Sequence, residues 1–115
     1  MDDEEYEEQY YILIDLKPVL ASFPEFVNFC EQNLQVIDET WINSTVRVIT
    51  VFTGVDQGEP PGEIQPPLLF ETMVVGTKLP IAEAYTSNLG DAKAFHYDRV
   101  FELRKLYSSN EEIDA

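Results

Sequence analysis

Hydrophobic and polar positions alternate most regularly over residues 45–53. Val46, Val48, Thr50 and Phe52 fall on one side of an extended chain, and the residues between them fall on the other. A two-residue period is the pattern of a β-strand, whose successive side chains point to opposite faces of a sheet. This segment is therefore the strongest strand prediction in the chain.

Other segments are predicted as strands because they concentrate β-branched and aromatic residues between turn residues. They are residues 10–16, 34–38, 68–75 and 79–85, the last of which is interrupted by a proline. The first is apolar at nearly every position, so we expect both of its faces to be covered. Residues 54–67 are rich in glycine and proline and are predicted to form a long loop between two strands.

A long final strand is predicted over residues 92–107, because most of its apolar side chains share one parity. The residues of that parity are Phe95, Tyr97, Phe101 and Leu103. Val100 and Leu106 fall on the other parity, which allows for a bulge in the strand.

One short helix is predicted over residues 23–33. Ser22 precedes Glu25 by the spacing of a capping box, and Pro24 falls in the first turn, where proline is tolerated. Apolar residues then recur at helical spacing: Phe23, Phe26, Val27, Cys30 and Leu34. A loop with one or two helical turns is the alternative.

These elements predict an all-β fold with about six strands and one short helix at most. The rhythm of strand, helix and strand that a parallel sheet requires is missing. We expect a small antiparallel β-barrel, because closing a sheet removes its exposed edges. An acidic disordered leader is expected at residues 1–8, the β domain at residues 9–108 and an acidic tail at residues 109–115.

The chain carries a formal net charge of −15, and much of it lies at the two ends. Without the six acidic residues of positions 1–8 and the three of positions 111–115, the charge would be −6. An acidic surface repels nucleic-acid phosphates and anionic membranes. We therefore expect no direct nucleic-acid contact and no membrane association.

Cysteine usage and the start of the chain bear on the compartment. Cys30 is the single cysteine, so no internal disulfide can form, which suits a reducing environment. The first residues are acidic and lack the basic and apolar regions of a signal peptide. These features predict a cytosolic or nuclear protein.

Few residues have the chemistry of a catalytic or metal site. His96 is the only histidine, and although Asp98 would share its strand face, we expect a surface or interface residue. Cys30 has Glu25 and Glu31 as its nearest charged neighbours, and a reactive thiolate needs an electropositive environment, so we expect it in the core. One histidine and one cysteine cannot build an ordinary zinc site. We expect no enzymatic activity, cofactor, metal or small-molecule substrate.

Aromatic side chains are abundant for a single small barrel. The set comprises Tyr10, Tyr11, Trp41, Phe95, Tyr97, Phe101 and Tyr107. Because aromatic residues are enriched at interfaces, we expect some of them to face a protein partner. The alternative is that the core takes nearly all of them.

A short motif pattern then suggests a family. Phe52 and Gly54 form a Phe-x-Gly motif at the end of the strand 45–53, and Phe70 and Glu71 form a Phe-Glu pair in the strand after the loop. With an acidic leader before an apolar first strand, this order resembles the small triple-barrel subunit of RNA polymerase III transcription factor IIIC. Prolines 66 and 67 stand where that family has a Gly-Thr pair. The resemblance spans about residues 8–108.

The resemblance implies a β-barrel dimerisation domain of the triple-barrel type over residues 9–108. In that family, the barrel pairs with the equivalent domain of a larger subunit, which carries the DNA-binding module. The implied role is a nuclear, non-catalytic subunit that supports RNA polymerase III transcription of transfer-RNA genes. The alternative is a stand-alone small β-barrel that binds an apolar ligand or a peptide.

The predicted partner interface lies on the strand 45–52 and on the final strand, because these are the longest and most apolar. The predicted interface residues are Val46, Val48, Thr50, Phe52, Phe70, Phe95, Tyr97, Phe101 and Leu103.

Overall fold

A computed structural model describes residues 8–78 and 83–109 of the chain. In chain order, the elements of these residues are β1 (Tyr10–Ile14), β2 (Lys17–Ala21), α1 (Phe23–Glu31), β3 (Val36–Trp41), β4 (Arg47–Phe52), β5 (Phe70–Val75), β6 (Ala84–Thr86) and α2 (Leu89–Ser109). The predicted leader and tail lie outside the described residues, apart from their innermost positions.

The first two strands form an antiparallel hairpin, in which Ile14 pairs with Lys17. The sequence predicted one strand over residues 10–16, but the chain turns back at Asp15 and Leu16, whose φ angles are 53° and 66°. Positive φ at both central residues belongs to the tight hairpin turns whose twist matches antiparallel strands. The turn was missed because leucine rarely adopts this conformation.

Helix α1 confirms the predicted capping box. The Ser22 hydroxyl accepts a hydrogen bond from the Glu25 N–H (3.2 Å), and the Glu25 carboxylate accepts one from the Ser22 N–H (2.8 Å). The hydrogen bond from the Ser22 N–H to the Glu25 carboxylate is the main cause that holds the pKa of Glu25 below its ordinary value, and an interaction of the carboxylate with the Ser22 hydroxyl adds to it. Phe29 is buried on the inner side of the helix, with its ring centroid 5.8 Å from that of Phe52. The helix is thus attached to one end of the sheet.

Strands β3 to β6 form a four-stranded antiparallel sheet in sequence order. The register of β4 and β5 runs from Arg47 opposite Val75 to Phe52 opposite Phe70. The predicted alternation of β4 is confirmed, since Val48, Thr50 and Phe52 are buried while the residues between them are half-buried. β3 continues beyond the predicted end at residue 38, because the turn comes only at residues 42–45.

The loop predicted between β4 and β5 is organised by one buried carboxylate. Asp56 accepts hydrogen bonds from the N–H groups of Gly58 (2.9 Å), Gly62 (2.8 Å) and Leu68 (3.0 Å). Burial acts to raise the pKa of Asp56, but the three backbone donors outweigh it, so the pKa lies below its ordinary value. The loop therefore folds around an ionised side chain.

The predicted final strand over residues 92–107 is wrong, because this segment lies within the 21-residue helix α2. The residues of α2 that face inward follow helical spacing: Ala92, His96, Val100, Leu103 and Tyr107. The pattern of apolar residues does not reveal this spacing, because Ala92 is small and His96 is polar. The Asp91 N–H donates to the Asn88 side chain (2.8 Å), so this pair caps the helix where only a turn was predicted.

A hydrogen-bonded chain of side chains joins α2 to the sheet. The His96 ring is fully buried, with Nε2 2.9 Å from the Thr40 hydroxyl and Nδ1 2.8 Å from the Thr50 hydroxyl. Thr50 also bonds the Thr72 hydroxyl (2.7 Å). Burial lowers the pKa of His96, opposed by the charge of Asp38. The ring is therefore neutral near pH 7 and pairs both of its nitrogens with hydroxyls.

The fold is mostly β, with two antiparallel sheets and a long C-terminal helix, and α1 is the predicted short helix. In the described part of the chain, neither sheet closes on itself: β3 and β6 each pair on one side. A helix takes the place of the last predicted strand and covers one sheet face, with Val48 packed against Val100 and Leu103. The closed barrel expected from the sequence is not seen in these residues.

Candidate partner-binding surface

One face of the four-stranded sheet is covered by α2, which contacts all four strands, and no other helix or strand of the described residues covers the opposite face. The uncovered face carries the alternate residues of β3 to β6 that point away from α2. The strand register arranges them in three rows: Trp41, Arg47 and Val75; Glu39, Ile49 and Met73; Val36, Val51, Glu71 and Tyr85. We call these residues the open face.

The first two rows combine apolar surface with charges that balance each other. The Trp41 side chain is 52% exposed, and the Arg47 guanidinium carbon lies 5.4 Å from the centre of its ring. Arg47 also forms an ion pair with Glu39. Ile49 and Met73 are half-buried beside this pair. This part of the open face is thus apolar with little net charge.

The third row concentrates negative charge, and together with Glu83, which contacts Glu71, we call it the acidic row. The Glu71 carboxyl is hydrogen-bonded to Glu83, which raises its pKa to about 7 together with burial and the charge of Glu83, while a hydrogen bond with Tyr85 opposes the shift. The charges of Glu71, Glu83 and Glu59 all raise the pKa of the Tyr85 hydroxyl. Among the described residues, no lysine or arginine forms an ion pair with these carboxylates.

A second exposed apolar region surrounds the β1–β2 hairpin, where Ile14 and Leu20 are exposed. Beside the turn lies an open groove with a volume of about 410 Å³. Its lining is mostly apolar, with one acidic and one basic residue: Leu13, Asp15, Leu16, Phe29, Leu34, Val36, Ile37, Leu89 and Lys93.

The family-motif positions lie together at one end of the sheet. Phe52 and Phe70 are register partners, and their ring centroids are 5.3 Å apart in the core. Gly54 has φ +75°, and its carbonyl accepts a hydrogen bond from the Tyr11 N–H (2.9 Å), so it attaches the hairpin to the end of β4. Glu71 follows Phe70 and points to the other face. The motif residues therefore position the hairpin and the acidic row.

The predicted interface residues divide between the core and the outer face of α2. Six of them are buried within the chain: Val46, Val48, Thr50, Phe52, Phe70 and Leu103. Phe95 is half-buried, with the Arg99 guanidinium 5.0 Å from its ring centre, whereas Tyr97 and Phe101 are 51% and 65% exposed. In this conformation, Tyr97 and Phe101 are the members most accessible to a partner.

The two residues considered for chemistry are placed differently from expectation. His96 was expected at a surface or interface but is buried, because the helical turn of α2 directs it between Thr40 and Thr50. Cys30 is a free thiol in the last part of α1 and is half-buried.

The open face was missed because the sequence does not show which face of a strand is covered. Residues 70–75 carry apolar side chains on both parities, with Met73 and Val75 on the parity opposite Phe70. That two-sided pattern was the available signal, since it is typical of a strand with both faces covered. Nothing in the sequence indicated that Glu83 and Tyr85 would meet Glu71.

Comparisons of the chain with protein-family models, with curated proteins and with solved structures find no match. Neither helix in the described part of the chain combines the length and apolarity needed to cross a bilayer. The described residues also contain no group of histidine, cysteine and acidic side chains able to hold a metal ion.

Proposed function

We propose that this chain is a nuclear, non-catalytic subunit that heterodimerises with a larger subunit of transcription factor IIIC. In this role, it supports RNA polymerase III transcription of transfer-RNA genes. The partner carries an equivalent β domain and the contacts to DNA, which agrees with the strongly acidic character of this chain.

The main support for the proposal is the number of large apolar side chains that are exposed on this small chain. They lie on the open face, at Trp41, Val75 and Tyr85, around the hairpin, at Ile14 and Leu20, and on the outer side of α2, at Tyr97 and Phe101. Soluble monomers rarely expose contiguous apolar patches larger than a few hundred Å². A partner that covers these regions explains why they are apolar.

The motif residues supply the second support. Phe52, Gly54, Phe70 and Glu71 are the positions that resemble the transcription factor IIIC subunit. The rings of Phe52 and Phe70 pack together in the core, and Gly54 has a positive φ angle that favours glycine. The barrel of that family forms, in this proposal, with strands from the partner, since β3 and β6 are open edges among the described strands. The closed barrel is therefore a property of the heterodimer.

Co-expression with the barrel-bearing larger subunit of transcription factor IIIC from the same organism tests the proposal. We expect a 1:1 complex by size-exclusion chromatography with light scattering, and no complex with the related barrel subunit of another polymerase-associated general factor. A chain that stays monomeric beside the larger subunit would contradict the proposal.

The groove beside the hairpin favours one second candidate, a small domain that binds an apolar ligand or a peptide. Its volume of about 410 Å³ falls in the range of small-molecule sites. Displacement of a solvatochromic dye tests this function. If dye binding is lost when Leu34 is replaced by glutamine while the 1:1 complex still forms, the groove is a ligand site separate from the partner surface.

A further inference from the structure

The acidic end of the open face carries charge that the described residues leave unbalanced. Glu39, in the second row, is paired with Arg47 on the neighbouring strand. Glu71 and Glu83 are instead hydrogen-bonded to each other, which requires one of them to hold a proton. Two carboxylates within hydrogen-bonding distance of each other repel when both are ionised. Either a shared proton or an approaching cation relieves this repulsion.

The surroundings of these carboxylates favour a cationic side chain of a protein over a bound metal ion. Tyr85 lies beside them, and Val51 is the register neighbour of Glu71 on β4. Aromatic and aliphatic surface beside a carboxylate accommodates the stem of lysine or the plane of arginine. Tyr85 also lies on β6, which is an edge strand among the described residues, so a partner strand can approach from that side.

The hairpin groove has no such excess of negative charge. Asp15 and Lys93 place both signs of charge around it. Of these two regions, the open face is the one whose charge specifies a partner: an apolar surface with an unpaired cationic group at one end.

We propose that the partner subunit docks on the open face and places a lysine or arginine side chain against the carboxylates of Glu71 and Glu83, beside Tyr85. The inference rests on the proposed function and adds to it the surface and the chemistry of contact.

Binding is then linked to the release of a proton. The pKa of Glu71 is raised to about 7 in the free chain by its hydrogen bond to Glu83, by burial and by the charge of Glu83. Tyr85 is the other titratable group that acts on it, and Glu59 acts in turn on the Tyr85 hydroxyl, while Val51, its register partner on β4, is apolar. A partner cation favours the ionised carboxylates, so below about pH 7 binding must first remove a proton. The affinity should therefore be about tenfold lower at pH 6 than at pH 8.

Titration calorimetry with the purified larger subunit tests the charge contact at pH 6 and pH 8, in buffers of different ionisation enthalpy. We expect the unaltered chain to release a proton and to bind about tenfold more weakly at pH 6. Glu71→Gln should bind at least about tenfold more weakly at pH 8, because the ionised partner of the cation is lost, and should show little pH dependence. Glu102→Gln removes an exposed carboxylate of α2 and should behave as the unaltered chain.

A matched pair of aromatic substitutions tests the surface. Trp41→Ala on the open face should weaken the complex more than about tenfold, as expected for a central aromatic contact. Phe101 belongs to the interface predicted from the sequence but lies on the exposed side of α2, outside the open face, so under this inference Phe101→Ala should leave the affinity unchanged. Thermal unfolding of the free chains shows whether each variant is folded. The reverse result, with Phe101 needed and Trp41 dispensable, would place the interface on α2 and overturn the inference.

The outcomes separate the two proposals. If the unaltered chain forms no complex with the larger subunit, the proposed function fails and the inference fails with it. If the complex forms but Glu71→Gln and Trp41→Ala bind as tightly as the unaltered chain at both pH values, the inference alone is overturned.

Discussion

Replacement of His96 by alanine would remove the ring that joins α2 to the sheet. The ring is fully buried and bonds the hydroxyls of Thr40 and Thr50. Truncating a buried aromatic side chain to alanine costs about 3–5 kcal/mol. Thr50 keeps its bond to Thr72, so the loss of hydrogen bonding adds only about 1 kcal/mol. Together the two terms predict a loss of about 4–6 kcal/mol in the free energy of unfolding.

Urea unfolding followed by circular dichroism measures this loss, and Tyr97→Ala is the matched control. Tyr97 is the next residue on the helix and is 51% exposed, so its replacement should cost less than about 1 kcal/mol. Equal, small losses for His96→Ala and Tyr97→Ala would refute the reasoning, because they would mean that His96 lies at the surface, as in the strand first predicted.

The same residue predicts a pH dependence of stability. Burial lowers the folded-state pKa of His96, opposed by Asp38, so below about pH 6.5 the unfolded chain takes up a proton that the folded chain resists. Stability should therefore fall as the pH drops from about 6.5 toward the folded-state pKa, by at most about 1.4 kcal/mol per pH unit. His96→Gln removes this titration. A difference between the two proteins that stays constant from pH 7.5 to pH 5.5 would contradict the assignment.

Two further predictions concern backbone positions near the sheet. Gly54→Ala should cost at least about 2 kcal/mol by urea unfolding, because the added Cβ would lie 2.8 Å from the Tyr11 carbonyl oxygen at a positive φ, whereas Gly90→Ala within α2 should be neutral or stabilising by up to about 1 kcal/mol. Similar effects of the two substitutions would argue against the hairpin contact. Asp56→Ala should cost about 2–4 kcal/mol and hasten proteolysis of the loop 54–67, since three N–H groups lose their acceptor. Unchanged cleavage would show that the carboxylate does not organise the loop.

Local patterns in the sequence predicted the elements whose structure depends on near neighbours. The capping box of Ser22 and Glu25 acts over three residues and formed as predicted. The alternation that ends at Phe52 and the strand that contains Phe70 were also confirmed. In each case, backbone preference and hydrophobic period agreed, so tertiary contacts had nothing to override.

The candidate site depended on contacts that the sequence pattern does not contain. The acidic row joins Glu71 to Glu83 and Tyr85 only because β5 and β6 pair in one register. The Phe-Glu motif drew attention to Glu71 by resemblance alone, and the sequence showed neither its partners nor that its face of the sheet would be left uncovered.

By itself, the sequence determined an acidic chain rich in β-strands, with one capped helix. Only the tertiary structure decided that the last segment is a helix and which face of the sheet it covers. The physical reason is clearest at His96, a polar residue whose burial is favourable only because threonines 56 and 46 positions away in the chain supply its hydrogen bonds. A pattern of hydrophobic positions does not identify a buried polar residue as part of the core. Because His96 is one of the inward residues of α2, the helical spacing of that segment was not recognised.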